Sequence, residues 1–173
     1  CEQVLAGLQG RIDAVLDGGF CQHGVESTIV DLTGQTIQIV RAGPITASQL
    51  CAVLQQEVAQ PTQHQVKVAG NVAAHYQPNA PLICMTTAQL TERINAATAD
   101  IAVLHYSPLP QSSKVHSLPM PPSAADYASA LYRSLYLADK AQVREIWCEQ
   151  PPQGEDWLAV HDRLRRAGFN DKS

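Results

Sequence analysis

Charge is scarce in this sequence: of its 173 residues only 16% are Asp, Glu, Lys or Arg, and the formal net charge is −4. Such a balance leaves no overall basic field to draw nucleic acid onto the surface, so any contact of that kind must be local. Paired cysteines are also missing. Cys1, Cys21, Cys51, Cys84 and Cys148 are odd in number, widely spaced and without a Cys-x-x-Cys pair, which argues against a structural zinc site and against a disulfide scaffold. They read instead as small hydrophobes in a reducing compartment. No apolar run approaches the ~20 residues that a bilayer span needs, and no charged-then-apolar leader stands at the start. The expectation is a cytoplasmic protein with no membrane association. There is no internal repeat, no low-complexity tract and no initiator methionine. Cys1 is followed at once by a helical pattern (Val4, Leu5, Leu8) that breaks at Gly10, which reads as the middle of a longer chain. What is plentiful is apolar surface, 45% of residues, enough for a buried core.

Three regions separate by pattern. Residues 1–55 alternate short apolar runs with glycine-rich turns. Ile29-Val30-Asp31, a Thr33-Gly34 turn and the alternating Ile37 to Val40 run predict a hairpin, and Thr46 predicts the N-cap of a short helix carrying Leu50, Val53 and Leu54. Residues 56–81 fade into Gln, Ala, Gly, Asn and Pro and read as a linker, one long enough to be functional. Residues 82–173 change period. Short strands at 82–85, 101–106, 115–120 and 143–148 alternate with helices at 87–99, after Ser123, and at 157–167. The fold class expected is therefore α/β: a small Rossmann-like C-terminal domain with a largely parallel sheet, preceded by an incomplete strand-rich segment. Strands of that front segment lack sheet partners, and their open edges predict self-association.

Chemistry concentrates in Gly24-Val25-Glu26-Ser27-Thr28-Ile29-Val30-Asp31, followed fourteen residues after Ser27 by Arg41. A glycine-led turn entering a strand exposes backbone N–H groups and the Ser27 and Thr28 hydroxyls where anions can be held. Arg41, just before a Gly-Pro turn, can present a planar fork to a phosphate or carboxylate. A capped turn beside a surface arginine accounts for the same spacing.

These residues also carry a resemblance. Asp13-Ala14-Val15-Leu16-Asp17-Gly18-Gly19, the Glu26 to Asp31 run and Arg41-x-Gly43-x-Ile45 resemble the last third of the YrdC-type domain of threonylcarbamoyl-AMP synthases. Gly70-Asn71-Val72-Ala73-Ala74-His75-Tyr76-Gln77-Pro78 is similar to the linker of the longer, two-domain members, where a His-Tyr-x-Pro segment folds over the nucleotide. The basic residues that usually precede His-Tyr are replaced here by Gly70-Asn71-Val72 and alanines. Asp162 to Ala167 resembles the closing helix of their accessory domain. The resemblance implies ATP, L-threonine and bicarbonate as substrates, with magnesium, and a threonylcarbamoyl adenylate that a downstream tRNA threonylcarbamoyl transferase uses at tRNA position 37. It implies Ser27 on the threonine side, Arg41 and Tyr76 on ATP, and Asn71, His75 and Pro78 in a lid. It assigns no certain catalytic residue and no metal ligand to this chain. The family's Lys-x-Arg and Ser-x-Asn signatures are absent, so the chain alone is expected to be inactive.

Two rival readings stay open: a hydrogenase-maturation enzyme that forms a carbamoyl adenylate, and a non-catalytic ligand-binding or interaction module. Other features carry less. His75 has no second ligand at metal spacing, and no Gly-x-Ser-x-Gly elbow supports a Ser27/His75/Asp31 triad. Arg163, Arg165 and Arg166 read as a solvated helix face at the negative end of the dipole or, less simply, as a tRNA-facing patch. Tyr127, Tyr132 and Tyr136 read as core and rim.

Overall fold

The computed structural model describes residues 1–19, 21–60 and 77–168. Its first elements are α1 (Glu2–Leu8), β1 (Ile29–Asp31), β2 (Ile37–Arg41), α2 (Ala47–Leu54) and β3 (Val58–Ala59). Asp31 turns the chain after β1: one oxygen accepts from the Thr33 N–H and hydroxyl at 2.9 and 2.7 Å, the other from Gln38 Nε2 at 3.2 Å, the side-chain mimicry that makes Asp a turn former. β1 and β2 pair antiparallel, Val30 opposite Ile39 and Asp31 opposite Gln38, with an irregularity between Ile29 and Val30 that brings Ile29 opposite Arg41.

The hairpin is thus where the alternating pattern put it, but it is not unpartnered. β3 lies parallel to β2, Ile37 beside Val58 and Gln38 beside Ala59, so the stretch read as linker opens with a third strand. A two-residue strand has too little pattern to show in sequence. α2 starts at Thr46, whose hydroxyl accepts the Gln49 N–H while the Gln49 side chain accepts the Thr46 N–H, a reciprocal capping box. It buries none of its residues, and Val53 is 81% exposed.

β4 (Leu82–Met85), α3 (Thr87–Asn95), β5 (Ile101–His105), β6 (Val115–Pro119), α4 (Ala124–Lys140), β7 (Glu145–Glu149) and α5 (Leu158–Ala167) complete the order. The four strands form one fully parallel sheet in the order β4-β7-β5-β6, which is the α/β architecture expected. Strand alternation sorts the core into two layers. Ile101, Val103, Trp147 and Met85 face α3 through Leu90 and Ile94. Ala102, Leu104, Ile146 and Cys148 face Tyr127, Leu131 and Leu135 of α4 and Val160 and Leu164 of α5.

Among the described residues Glu149, at the end of central β7, is the one fully buried carboxylate: it is 0% exposed. It accepts from Thr87 Oγ1 at 2.7 Å and from the N–H groups of Tyr106 and Ser107 at 2.8 and 2.9 Å. Burial pushes its pKa up, but these donors outweigh that and hold it below its ordinary value. A fully bonded carboxylate thus ties the start of α3 to the loop after β5. Among the described residues no helix is long and apolar enough to cross a membrane.

Candidate functional site

Arg41 ends β2 opposite Ile29, so its side chain runs back along the neighbouring strand to Ser27. Nε donates to the Ser27 carbonyl at 3.0 Å and Nη2 to the Ser27 hydroxyl at 3.1 Å. Arg41 is 8% exposed while Ser27 is exposed. The arginine is therefore not a surface residue: it is a buried cation wrapped around an exposed serine. A hydroxyl that accepts from arginine can still donate its own hydrogen outward, and beside a positive charge the fitting acceptor is an anionic oxygen.

The turn after Arg41 is fastened to the same place. Thr28 Oγ1 donates to the Ile45 carbonyl at 2.7 Å and accepts the Ile45 N–H at 3.1 Å. Gly43 lies so close to residues 26–28 that a Cβ there would overlap the Thr28 nitrogen and the Ser27 carbonyl carbon. Glycine is required for this approach of two backbones.

The other side of the segment rests on the C-terminal domain. Gly24 packs on α4, where a Cβ would overlap the backbone of Ala128 and Ser129, and Val25 belongs to the main core. Ser129 Oγ donates to the Cys21 carbonyl at 3.0 Å. Glu26 accepts from Tyr132 Oη at 3.2 Å and from Arg163 Nε at 2.6 Å, and Arg163 Nη2 donates to the Ala42 carbonyl at 3.1 Å. Asp162 completes the network, accepting from Arg163 and Arg166 at 2.8 Å and from Arg165 at 2.7 Å. Burial pushes Glu26 up, but its own backbone N–H, Arg163 and Tyr132 outweigh that and hold it below its ordinary value. Burial likewise pushes Asp162 up, and the bonds and charges of Arg166, Arg165 and Arg163 overcome it.

This corrects the reading of the last helix as a solvated arginine face. Arg163 and Arg166 are 2% and 4% exposed; only Arg165 faces solvent. Two carboxylates make the difference, since burying a guanidinium is costly unless it is paired and hydrogen-bonded. Tyr127 is core and Tyr132 reaches the network from the rim. The sequence signal for this network was weak: Asp162 sits three and four residues before Arg165 and Arg166, but nothing local points to Glu26, 137 positions before Arg163.

Of the residues singled out by motif, Ser27 and Arg41 are brought together. Pro78 stands one residue before Asn79, whose N–H and side-chain amide donate to Asp139 of α4 at 2.8 and 2.6 Å. Asn71, His75 and Tyr76 lie outside the described residues. Among the described residues no three His, Cys, Asp or Glu side chains gather where they could hold a metal.

Comparison with known proteins divides the chain ahead of α2 and β3. A sequence model of the family described as "Threonylcarbamoyl-AMP synthase, C-terminal domain" matches residues 45–168, and one described as "Telomere recombination" matches residues 1–43. Threonylcarbamoyl-AMP synthase of Bacillus subtilis is 28% identical over 96% of this chain and 51% of its own length. That of Pyrococcus abyssi is 23% identical over 91% and 50%. The chain thus spans about half the length of these curated relatives. Two P. abyssi Sua5 structures share the fold. One, complexed with L-threonine, has a TM-score of 0.80 at 24% identity, covering 96% of this chain and 52% of the other. The second, in which a His-Tyr pair is replaced by alanines, has a TM-score of 0.79 at 22% identity over the same shares.

Proposed function

The chain belongs to the threonylcarbamoyl-AMP synthase C-terminal domain family, and from that premise we propose that it is the second half of an L-threonylcarbamoyladenylate synthase: the end of the substrate-binding domain, a linker and the accessory α/β domain. One observation carries the reading. The Ser27 hydroxyl accepts from the buried Arg41 at 3.1 Å, which leaves its own hydrogen to be donated outward to an anionic oxygen such as that of a carboxylate or carbamate.

The reaction condenses the amine of L-threonine with bicarbonate to a carbamate, with loss of one water. A carbamate oxygen attacks the α-phosphorus of ATP, the bond to the bridging oxygen breaks and pyrophosphate leaves. A downstream transferase in the cytoplasm passes the threonylcarbamoyl group to tRNA. In such a scheme the protein chiefly positions and neutralises. Ser27 serves the threonine side and Arg41 the nucleotide. The segment around Tyr76, with Asn71, His75 and Pro78, excludes water from the labile adenylate. One P. abyssi Sua5 structure carries alanines in place of a His-Tyr pair, and a His-Tyr dipeptide stands in this sequence at residues 75 and 76.

The experiment is a pyrophosphate-release assay with ATP, threonine and bicarbonate. The full gene product is expected to release pyrophosphate only when threonine is present, and the 173-residue chain alone none above background. Arg41→Ala removes a charge-assisted fork worth ~1.5 to 3 kcal/mol and lowers ATP affinity by about one to two decades. Because Arg41 also orients Ser27, the same variant raises the threonine requirement. Ser27→Ala raises the threonine requirement alone, and Tyr76→Ala acts mainly on turnover. Threonine-independent turnover by the full product would reject the reading in favour of a different adenylate-forming enzyme. No turnover at all would leave the non-catalytic module.

A further inference from the structure

The Arg163 guanidinium spends its donors in three directions: Nε on Glu26, Nη1 on Asp162 and Nη2 on the Ala42 carbonyl, at 2.6, 2.8 and 3.1 Å. Glu26 and Ala42 are the covalent neighbours of Ser27 and Arg41. A single side chain of α5 therefore grips the chain on either side of the hairpin, just outside its strands and one residue away from each member of the pair. The guanidinium is planar and rigid, so two simultaneous bonds from it set a spacing and not merely an attraction. Asp162 orients the fork from behind, and Tyr132 of α4 holds the same Glu26 carboxylate from the side.

A buried ion network is a poor source of net stability, since well-packed apolar residues often do as well. What it offers is a unique geometry. Gly24 and Gly43, both placed where a Cβ would meet backbone, let the segment pack backbone to backbone against α4 and against the turn after Arg41. We propose that Arg163 is a positioning residue through which the accessory domain sets the geometry of the Ser27–Arg41 pair. The proposal rests on the reading of that pair as the substrate-facing one, and it gives the accessory domain a task within the reaction: it is the rear wall of the site and not an independent binding module.

The test uses nitrogen-15 NMR on the 173-residue chain, reading solvent exchange of the Arg41 Nε–H that donates to Ser27, together with threonine kinetics on the full gene product. Arg163→Met keeps the length and removes the donors. It is expected to stay cooperatively folded while Arg41 Nε–H exchange rises about tenfold, the equivalent of one lost hydrogen bond to a charged group. Arg163→Lys, which keeps the charge but not the fork, is expected not to restore it. Should Arg163→Met fail to fold, Tyr132→Phe removes only the second donor to Glu26 and is expected to raise the same exchange by a smaller factor. Unchanged Arg41 exchange in whichever of these variants folds would overturn the proposal. In the full product the threonine KM is expected to rise with kcat held near the wild-type value. Faster exchange with an unchanged KM would uphold the positioning role and count against the reading of Ser27 and Arg41 as substrate-facing.

Discussion

Gly24 marks the point where the front segment meets α4, with the Ala128 and Ser129 backbone immediately beneath it. Backbone cannot retreat as a side-chain tip can, so Gly24→Ala is expected to cost about 1 to 3 kcal/mol through overpacking; chemical denaturation of both proteins checks this. The paired carboxylates add a pH dependence. Glu26 titrates below its ordinary value of 4.5 in the fold, so it contributes stability that is present above 4.5 and is lost as pH falls through the lower folded value. The stability gap between wild type and Glu26→Gln is therefore expected to hold steady above about pH 6 and to close below about pH 4, as read from urea midpoints across that range. A gap that widened on acidification would reverse the sign of this account.

Among the elements, α2 and α3 share the same N-terminal device and differ in what they bury. Thr46 with Gln49 and Thr86 with Gln89 form matching capping boxes. α3 buries Leu90 and Ile94 beneath the sheet, while α2 buries none of its residues. Losing a cap costs ~1 kcal/mol of helix stability, but it reaches the global transition only where the helix is part of the cooperative unit. Thr86→Ala is accordingly expected to lower unfolding stability by about 1 kcal/mol. Thr46→Ala is expected to leave the global midpoint nearly unchanged and to abolish exchange protection over 47–54 alone. Equal effects at both sites would show that α2 is more tightly integrated than its exposure indicates.

On the scale of the whole molecule, the front sheet leans on the C-terminal domain through Glu26, Ala42 and Ser129, and also through Ser48, whose N–H donates to Glu155 at 2.8 Å. Ile39 and Val40 are 2% exposed. Amide protection at 39–41 is therefore expected to survive a tenfold dilution in hydrogen-exchange measurements; protection that disappears on dilution would mean that association, as the open strands suggest from sequence, supplies the order. The sequence by itself determined every element with a repeating pattern or a cap: the hairpin of Ile29 to Arg41, the helix after Thr46, the four short strands of the C-terminal sheet and the helix after Ser123. The hairpin in turn brings Ser27 and Arg41 together, since the two flank one turn. These are local matters, set by period, turn chemistry and neighbours within a few residues. Only the tertiary structure decided that β7 enters between β4 and β5, that β3 closes the front sheet, that Glu149 is buried and that Arg163 grips the Ser27–Arg41 hairpin rather than facing water. Each of those depends on a partner more than 15 residues away, and a charge reads as a surface residue until the opposite charge that lets it be buried has been brought to it.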